Sequence, residues 1–334
     1  MKYYKLEITD KDGNAPLDGA GNPIGPFDSS LTPGSALHIE FDALITGYDV
    51  VSSGTNIAIY GVPVTMLRES AQLAGCQIDL TAGFTAGLPL ANPGQAGLIL
   101  SGQIYNPYAN WLGTHQSLNF IVNPSPLHND KGQAASITLD GKKGENLKDV
   151  LTRALTAAYP GFTLDISISD QLVLAEDGVG VYTRLTQLAA TLRSQSFSIL
   201  NRDDYTGVQM VMQNKTIRVF DNTQAAGGGI QILPAELTGQ PTWIGPVSVS
   251  FKCPMRADLR CGDTVELPEN IISGPGALLA VNTERSYSSL REQVNFSGKF
   301  LITSVRHVGD FLNPDNDNSW VTIYEAVALA KNTT

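Results

Sequence analysis

Residues 300–327 read FLITSVRHVGDFLNPDNDNSWVTIYEAV. Two alternating runs flank a polar middle, and one short span holds a histidine, four acidic residues and a tryptophan. It can be a site, with His307 as base or metal ligand and Asp310, Asp315 and Asp317 as partners, or a hairpin with a polar tip. Strand alternation puts Leu301, Thr303, Val305 and His307 on one face and Ile302, Ser304, Arg306 and Val308 on the other. His307 therefore keeps apolar company, which predicts a half-buried histidine bonded to a neighbouring loop, with Asp310 as its partner. Zinc would need further His or Cys ligands, and His38, His115 and His128 show no ligand spacing. A calcium loop counted from Asp315 needs Gly at its sixth position and Glu at its twelfth, where this chain has Trp320 and Ala326. The stretch reads as a closing hairpin.

Working outward, the same pattern occurs earlier. Ser101-Gly102 precedes QIY, and Ser297-Gly298 precedes KFLI. Trp111 comes before SLNFIV, and Trp320 before VTIYEAV. Upstream of each lies a strand, a turn and a second strand: 56–80 ends in GCQIDL, and 247–267 ends in CGDTVEL. Between the two copies the periodicity changes. Asn146 to Ala158 places Leu147, Val150, Leu151, Ala154, Leu155 and Ala158 on one helical face, with Pro160-Gly161 as the stop. A second helix is expected over Val181–Gln195, then short strands at Ser196–Leu200, Val208–Met212 and Thr216–Phe220. Asp221 to Gly229, DNTQAAGGG, has linker composition. The predicted fold class is mainly β with an inserted α+β unit: two similar tube-like β-barrel or sandwich domains flank a small α+β middle domain. The expected boundaries are 1–124, 125–235 and 236–334. The segment Asp10–Ser35, dense in Gly, Pro, Asp and Asn, reads as a long loop or extended hairpin.

Composition narrows function. Net charge is −10, from 22 Lys and Arg against 32 Asp and Glu, which disfavours wrapping nucleic acid through phosphates or docking on an anionic membrane. Only 16% of residues are charged, so much of the surface is uncharged polar, as suits large subunit contacts. Cys76, Cys253 and Cys261 are too few and dispersed for a disulfide framework or a zinc site, and read as buried thiols. The opening MKYYKLEITD reads as a strand and not as a signal peptide. Gly178-Val179-Gly180 lacks the third glycine of a dinucleotide fingerprint and reads as a turn into a helix. Gly141-Lys142-Lys143-Gly144 lacks P-loop spacing. No GxSxG or HExxH stretch occurs, and Glu40 and Asp42 are alternating strand carboxylates. We expect no catalytic, metal or cofactor-binding residue and no cofactor, with Trp111, Trp320, His307 and Asp310 as structural candidates.

Three stretches together resemble the baseplate hub proteins of contractile-tailed phages and related injection machines. The first is NIAIYGVPVTMLRESAQLAGCQIDLTAGF followed by LILSGQIYNPYANW. The second is GENLKDVLTRALTAAYPGFTLDI with GVGVYTRLTQLAATLRSQSFSIL and KTIRVFD, and the third is the closing hairpin at 300–327. The resemblance covers nearly the whole chain, through patterns of fold. Asp12–Ser35 departs from it, and no appended lysozyme or peptidase-like segment accompanies it. It implies a homotrimer whose two tube-like domains per subunit form a pseudo-sixfold ring. Such a ring joins the hexameric tail tube to the trimeric central spike, meets other baseplate proteins and leaves a channel for DNA. The implied location is the virion tail baseplate, assembled in the host cytoplasm, without membrane anchoring. A tailocin or type VI secretion hub component is the near alternative. A virion-associated hydrolase or carbohydrate-binding module is the alternative from another class.

Overall fold

The computed structural model describes residues 1–31, 36–49, 54–85, 92–123, 136–224, 229–268, 296, 298–315 and 318–330. The first β region comprises β1 Lys2–Thr9, β2 Phe27–Asp28, β3 His38–Thr46, β4 Thr55–Tyr60, α1 Val64–Arg68, β5 Gln77–Phe84, β6 Gly97–Leu112 and β7 His115–Asn123. The middle comprises β8 Ile137–Gly141, α2 Leu147–Ala158, β9 Thr163–Ser167, β10 Gly178–Tyr182, α3 Leu185–Leu200, β11 Gln209–Gln213 and β12 Thr216–Phe220. The last region comprises β13 Ile230–Gln231, β14 Thr242–Trp243, β15 Ser248–Pro254, β16 Thr264–Glu266, β17 Lys299–Asp310 and β18 Trp320–Ala328.

The fold is mainly β, as the alternating runs predict, and it is built twice from one plan. In the first region the strands lie in the order β3-β4-β7-β6-β5, in the last β14-β15-β18-β17-β16. Chain order and spatial order agree strand for strand, and every neighbouring pair is antiparallel. The copies diverge at the far edge, where β5 takes β1 antiparallel and β16 takes β13 parallel, and β5–β6 carries a register shift between Leu80 and Thr81 that β16–β17 lacks. One irregularity repeats. β6 pairs with β5 as far as Gln103 and bulges between Ile104 and Asn106. β17 pairs with β16 as far as Leu301 and bulges between Ile302 and Ser304. Tyr105 and Thr303 therefore occupy the same place, and Asn106–Leu112 corresponds to Ser304–Asp310.

The two copies share one sheet. Past its bulge, β17 pairs with β3, from Ser304 opposite Thr46 to Asp310 opposite Glu40. The bulge also interrupts the strict alternation expected for Leu301 to His307. Thr303 is the extra residue, Phe300, Leu301 and Ile302 are all buried before it, and Val305 and His307 are buried after it.

Three cores result. The first is built on Leu6, Ile39, Ile57, Ile78, Leu80 and Phe120, and it also takes in Met255 and Trp320 from the last region. The second is built on Val249, Phe251, Val265, Phe300 and Tyr324, and it takes in Ile45 from β3. The third holds the middle: α2 and α3 pack on a two-stranded sheet, β8 with β10, and a three-stranded sheet in which β9 runs parallel to β12 and β11 closes a hairpin with it.

α2 follows its sequence signals. Asn146 accepts a hydrogen bond from the Lys148 amide and caps the helix, and Leu147, Val150, Leu151, Ala154 and Leu155 are its buried residues. Three expectations need correction. Val181 lies on β10, paired with Thr138, so Gly178–Tyr182 is a strand and not a turn into a helix. Residues Ser196–Leu200 continue α3 and are not a strand, the helix ending at Asn201 in the left-handed conformation with φ 43°. Asp221 and Asn222, which open the linker-like stretch, are fully buried. Asp221 accepts from the Ser169 amide at 2.9 Å and the Tyr205 hydroxyl at 3.2 Å, and Asn222 bonds the Ala328 carbonyl and accepts from the Ala330 amide. Residues 225–228 lie outside the described residues. Asp10–Ser35 folds back on β1 through β2, with Ile24 buried and Asp18 accepting from the Ala20 and Asn22 amides; residues 32–35 lie outside the described residues.

Candidate assembly interface

The β17–β3 junction is where the sequence-derived candidates meet. His307 is buried, and its Nδ1 lies 3.0 Å from the Thr322 hydroxyl on β18. Its partner is thus a cross-strand threonine and not Asp310, because the strand turns His307 inward while Asp310 ends β17 beside β3. Burial pushes the His307 imidazole down to about 3, so the ring is neutral and shielded from solvent. Its second ring nitrogen, Nε2, is buried without a hydrogen-bond partner among the described residues. The same reasoning applies to the thiols: burial pushes Cys253 and Cys261 each up to about 12, which keeps them as inert protonated thiols.

Asp310 joins a different group. Its carboxylate lies 3.7 Å from His38 Nε2, which is 3.0 Å from Glu40, and the Tyr60 hydroxyl donates to Glu40 at 2.9 Å. Burial, and then the bond to Glu40, push the Tyr60 phenol up to about 12. His38, Glu40 and Asp310 are the three groups among the described residues whose donor atoms converge closely enough to hold a cation. They sit part-exposed across the two paired strands, and Glu40 and Asp310 line an acidic groove with Asp42, Asn56 and Tyr108. Beside them Arg306 makes a two-pronged contact to Asp42, at 2.8 and 2.5 Å. Sequence reading grouped His307 with Asp310 by proximity along the chain; the actual neighbours, His38 and Glu40, come from a strand some 270 positions away and carried no local signal.

The two tryptophans part company. Trp320 is 1% exposed, donates its indole N–H to the Gly83 carbonyl at 2.8 Å, and packs edge-on against Phe41 and Phe311 in the first core. A residue of the second copy thus fastens the first. Lys2 clasps the same hairpin, donating to the Asp310 carbonyl and the Ser319 hydroxyl. Trp111 is 63% exposed. It lies opposite Gln116, whereas Trp320 lies opposite Gly309. Trp111 therefore corresponds to Gly309, and Trp320 to Gln116: the two sit on opposite strands of equivalent hairpins, not at equivalent positions. The β6–β7 hairpin carries Tyr105, Tyr108, Trp111 and Leu112 on its surface. Among the described residues, the outer edge of Asn106–Leu112 pairs with nothing.

The fold is similar to that of solved structures. The 43 kDa tail protein of prophage MuSo2 from Shewanella oneidensis matches with a TM-score of 0.50 at 7% identity, covering 98% of this chain and 97% of that one. The chain has the fold of a phage tail protein. Two further tail-related structures score slightly lower. The tail protein from Neisseria meningitidis MC58 gives 0.49 at 8% identity, over 98% of this chain and 96% of that one. The E. coli c3393 protein, a component of the type VI secretion system similar to T4 bacteriophage tail proteins gp27 and gp5, gives 0.49 at 10% identity, over 98% and 77%. Neither a family model nor a curated protein sequence matches the chain.

Proposed function

We propose that this chain is a baseplate hub subunit of a contractile tail. Three copies form a ring with six similar β modules, which matches a sixfold tail tube on one side and a threefold central spike on the other, with a channel for DNA between. The observation that carries this reading is the five-strand order β3-β4-β7-β6-β5 repeated as β14-β15-β18-β17-β16, with the copies joined edge to edge in one sheet. A threefold assembly presents sixfold-like contacts only when each subunit supplies two similar modules, and the tail-protein fold and the sequence resemblance support the same assignment. We take the units 1–124, 125–235 and 236–334 as the first module, the insert and the second module. The role is structural and not catalytic, and its place is the virion tail. The acidic balance fits a channel that repels DNA phosphates and lets the genome slide. The test is the mass of the full chain in solution, alone and with the trimeric spike protein of the same tail. Three chains per spike trimer are expected. A chain that stays monomeric in both conditions overturns the assignment.

A further inference from the structure

We infer that the open edge of β6, residues Asn106–Leu112, is completed by the outer edge of β14 from a second copy of this chain. This deepens the ring reading and rests on it. The argument is the internal junction itself. Ser304–Asp310 of β17 pairs with β3, and its counterpart Asn106–Leu112 has no such neighbour among the described residues. Following the pairings through β4 and β15, Asp42 on β3 corresponds to Thr242 on β14, and Ala43 to Trp243. β3 lies between β17 and β4, whereas among the described residues β14 is the last strand of its sheet with one side open. One molecule therefore carries both halves of a second junction, at opposite ends, and neither half can be reached by the other within the chain's own strand order.

The backbone phase agrees. The Ile244 amide donates inward to the Ser248 carbonyl, so by alternation Trp243 turns its N–H and C=O to the open side. On the other edge Pro107, which has no N–H, is tolerated where an edge strand faces outward, and by the same alternation Ala109 faces outward with it. Register transferred from the internal junction sets Trp243 opposite Ala109, Thr242 opposite Asn110 and Pro241 opposite Trp111. Inside the chain, Phe41 of β3 covers Gly309 of β17 so closely that no Cβ fits there. Between chains, exposed Tyr108 falls opposite exposed Ile244, while exposed Trp111 falls opposite Pro241, which its own chain buries. Pro107 and Pro241 also shorten the ladder, a common way to keep an edge from pairing indiscriminately.

The test is disulfide trapping in the full chain. Asn110 and Thr242 form a non-hydrogen-bonded pair in the inferred register, with Cα atoms about 4.5 Å apart, within disulfide reach. The N110C/T242C double variant under diamide should yield covalent dimers and trimers, and neither single variant should, because the contact is head to tail. N110C with Ile244→Cys, out of register, should cross-link far less. Ala109→Pro removes an outward N–H, so it should abolish trapping while leaving the melting temperature of the chain nearly unchanged. Double and single variants that trap equally overturn the inference, as does a trimer by mass that fails to cross-link, a result that leaves the ring standing. A covalent ladder running past three copies keeps the junction and removes the closed trimer.

Discussion

The hairpins β6–β7 and β17–β18 are the same structure in two circumstances. Both cross a bulge two residues after leaving their inner neighbour, and both carry a tryptophan in the distal half. The second is covered: β3 pairs with its edge, Lys2 grips its tip, and Trp320 is driven into the other module's core. The first is bare, with Tyr105, Tyr108, Trp111 and Leu112 facing solvent. A strand edge with four large apolar side chains is a liability in a monomer. The difference shows that the surface chemistry of a module follows from what closes over it, not from its strand plan.

That contrast can be broken most severely at Trp320. Truncation to alanine removes a fully buried ring and its bond to Gly83, and should cost about 3–5 kcal/mol in denaturant unfolding. A loss below about 1 kcal/mol would mean that the second hairpin is not fastened by this residue. Next comes Gly309→Ala, whose methyl would run into the Phe41 ring. Overpacking of this kind should destabilise by about 1–3 kcal/mol, and Phe41→Leu in the same chain should recover part of it.

His307 gives a pH signature of the covered hairpin. Its folded pKa, pushed by burial to about 3, lies below the ordinary value of 6.5. The neutral ring is thus favoured in the fold, and its contribution is complete above pH 6.5. As pH falls from 6.5 toward 3 the unfolded chain takes up a proton that the folded chain refuses. Stability should then drop by up to about 1.4 kcal/mol per pH unit. H307Q should flatten this part of the pH profile measured by urea unfolding, and an unchanged slope would show that His307 is not the group responsible. The smallest effect is expected at Trp111. W111A should change monomer stability by no more than about 0.5 kcal/mol while weakening self-association measured by sedimentation, the reverse of the Trp320 result.

Much of this plan was legible in sequence, because the paired GCQIDL and CGDTVEL runs mark the same turn in both copies, at Gly75 and Gly262, whereas Ser101-Gly102 lies within β6 opposite Asp79 and Ile78 and its counterpart by register is Lys299-Phe300. The length of β6 was not: Asn106, Pro107 and Asn110 read as turn formers, yet a solvent-facing edge tolerates them. The equivalence of the tryptophans failed for a related reason. A bulge and a hairpin reversal put residues at similar distances from a motif on opposite strands, and only the pairing register reveals it. The α3 boundary was misread because Val181 fits both a helical face and the alternation of β10. Asp221 and Asn222 looked like linker because polar composition does not report whether partners such as Tyr205 and Ala328 await in the fold. The His38, Glu40 and Asp310 group was invisible for the simplest reason, its separation in sequence.

The pairing of β3 with β17 carries a consequence for synthesis. β3 spans His38–Thr46, and its partner ends at Asp310. On the ribosome the first module emerges without Met255 and Trp320 of its core and with one of its strands still waiting for a mate made much later, at about 5–20 residues per second. During those tens of seconds the waiting edge accepts any finished β17 nearby, including one from another nascent chain on the same message. Crowded polysomes should therefore favour exchanged dimers over monomers, and slow or well-spaced translation should favour the correctly closed chain.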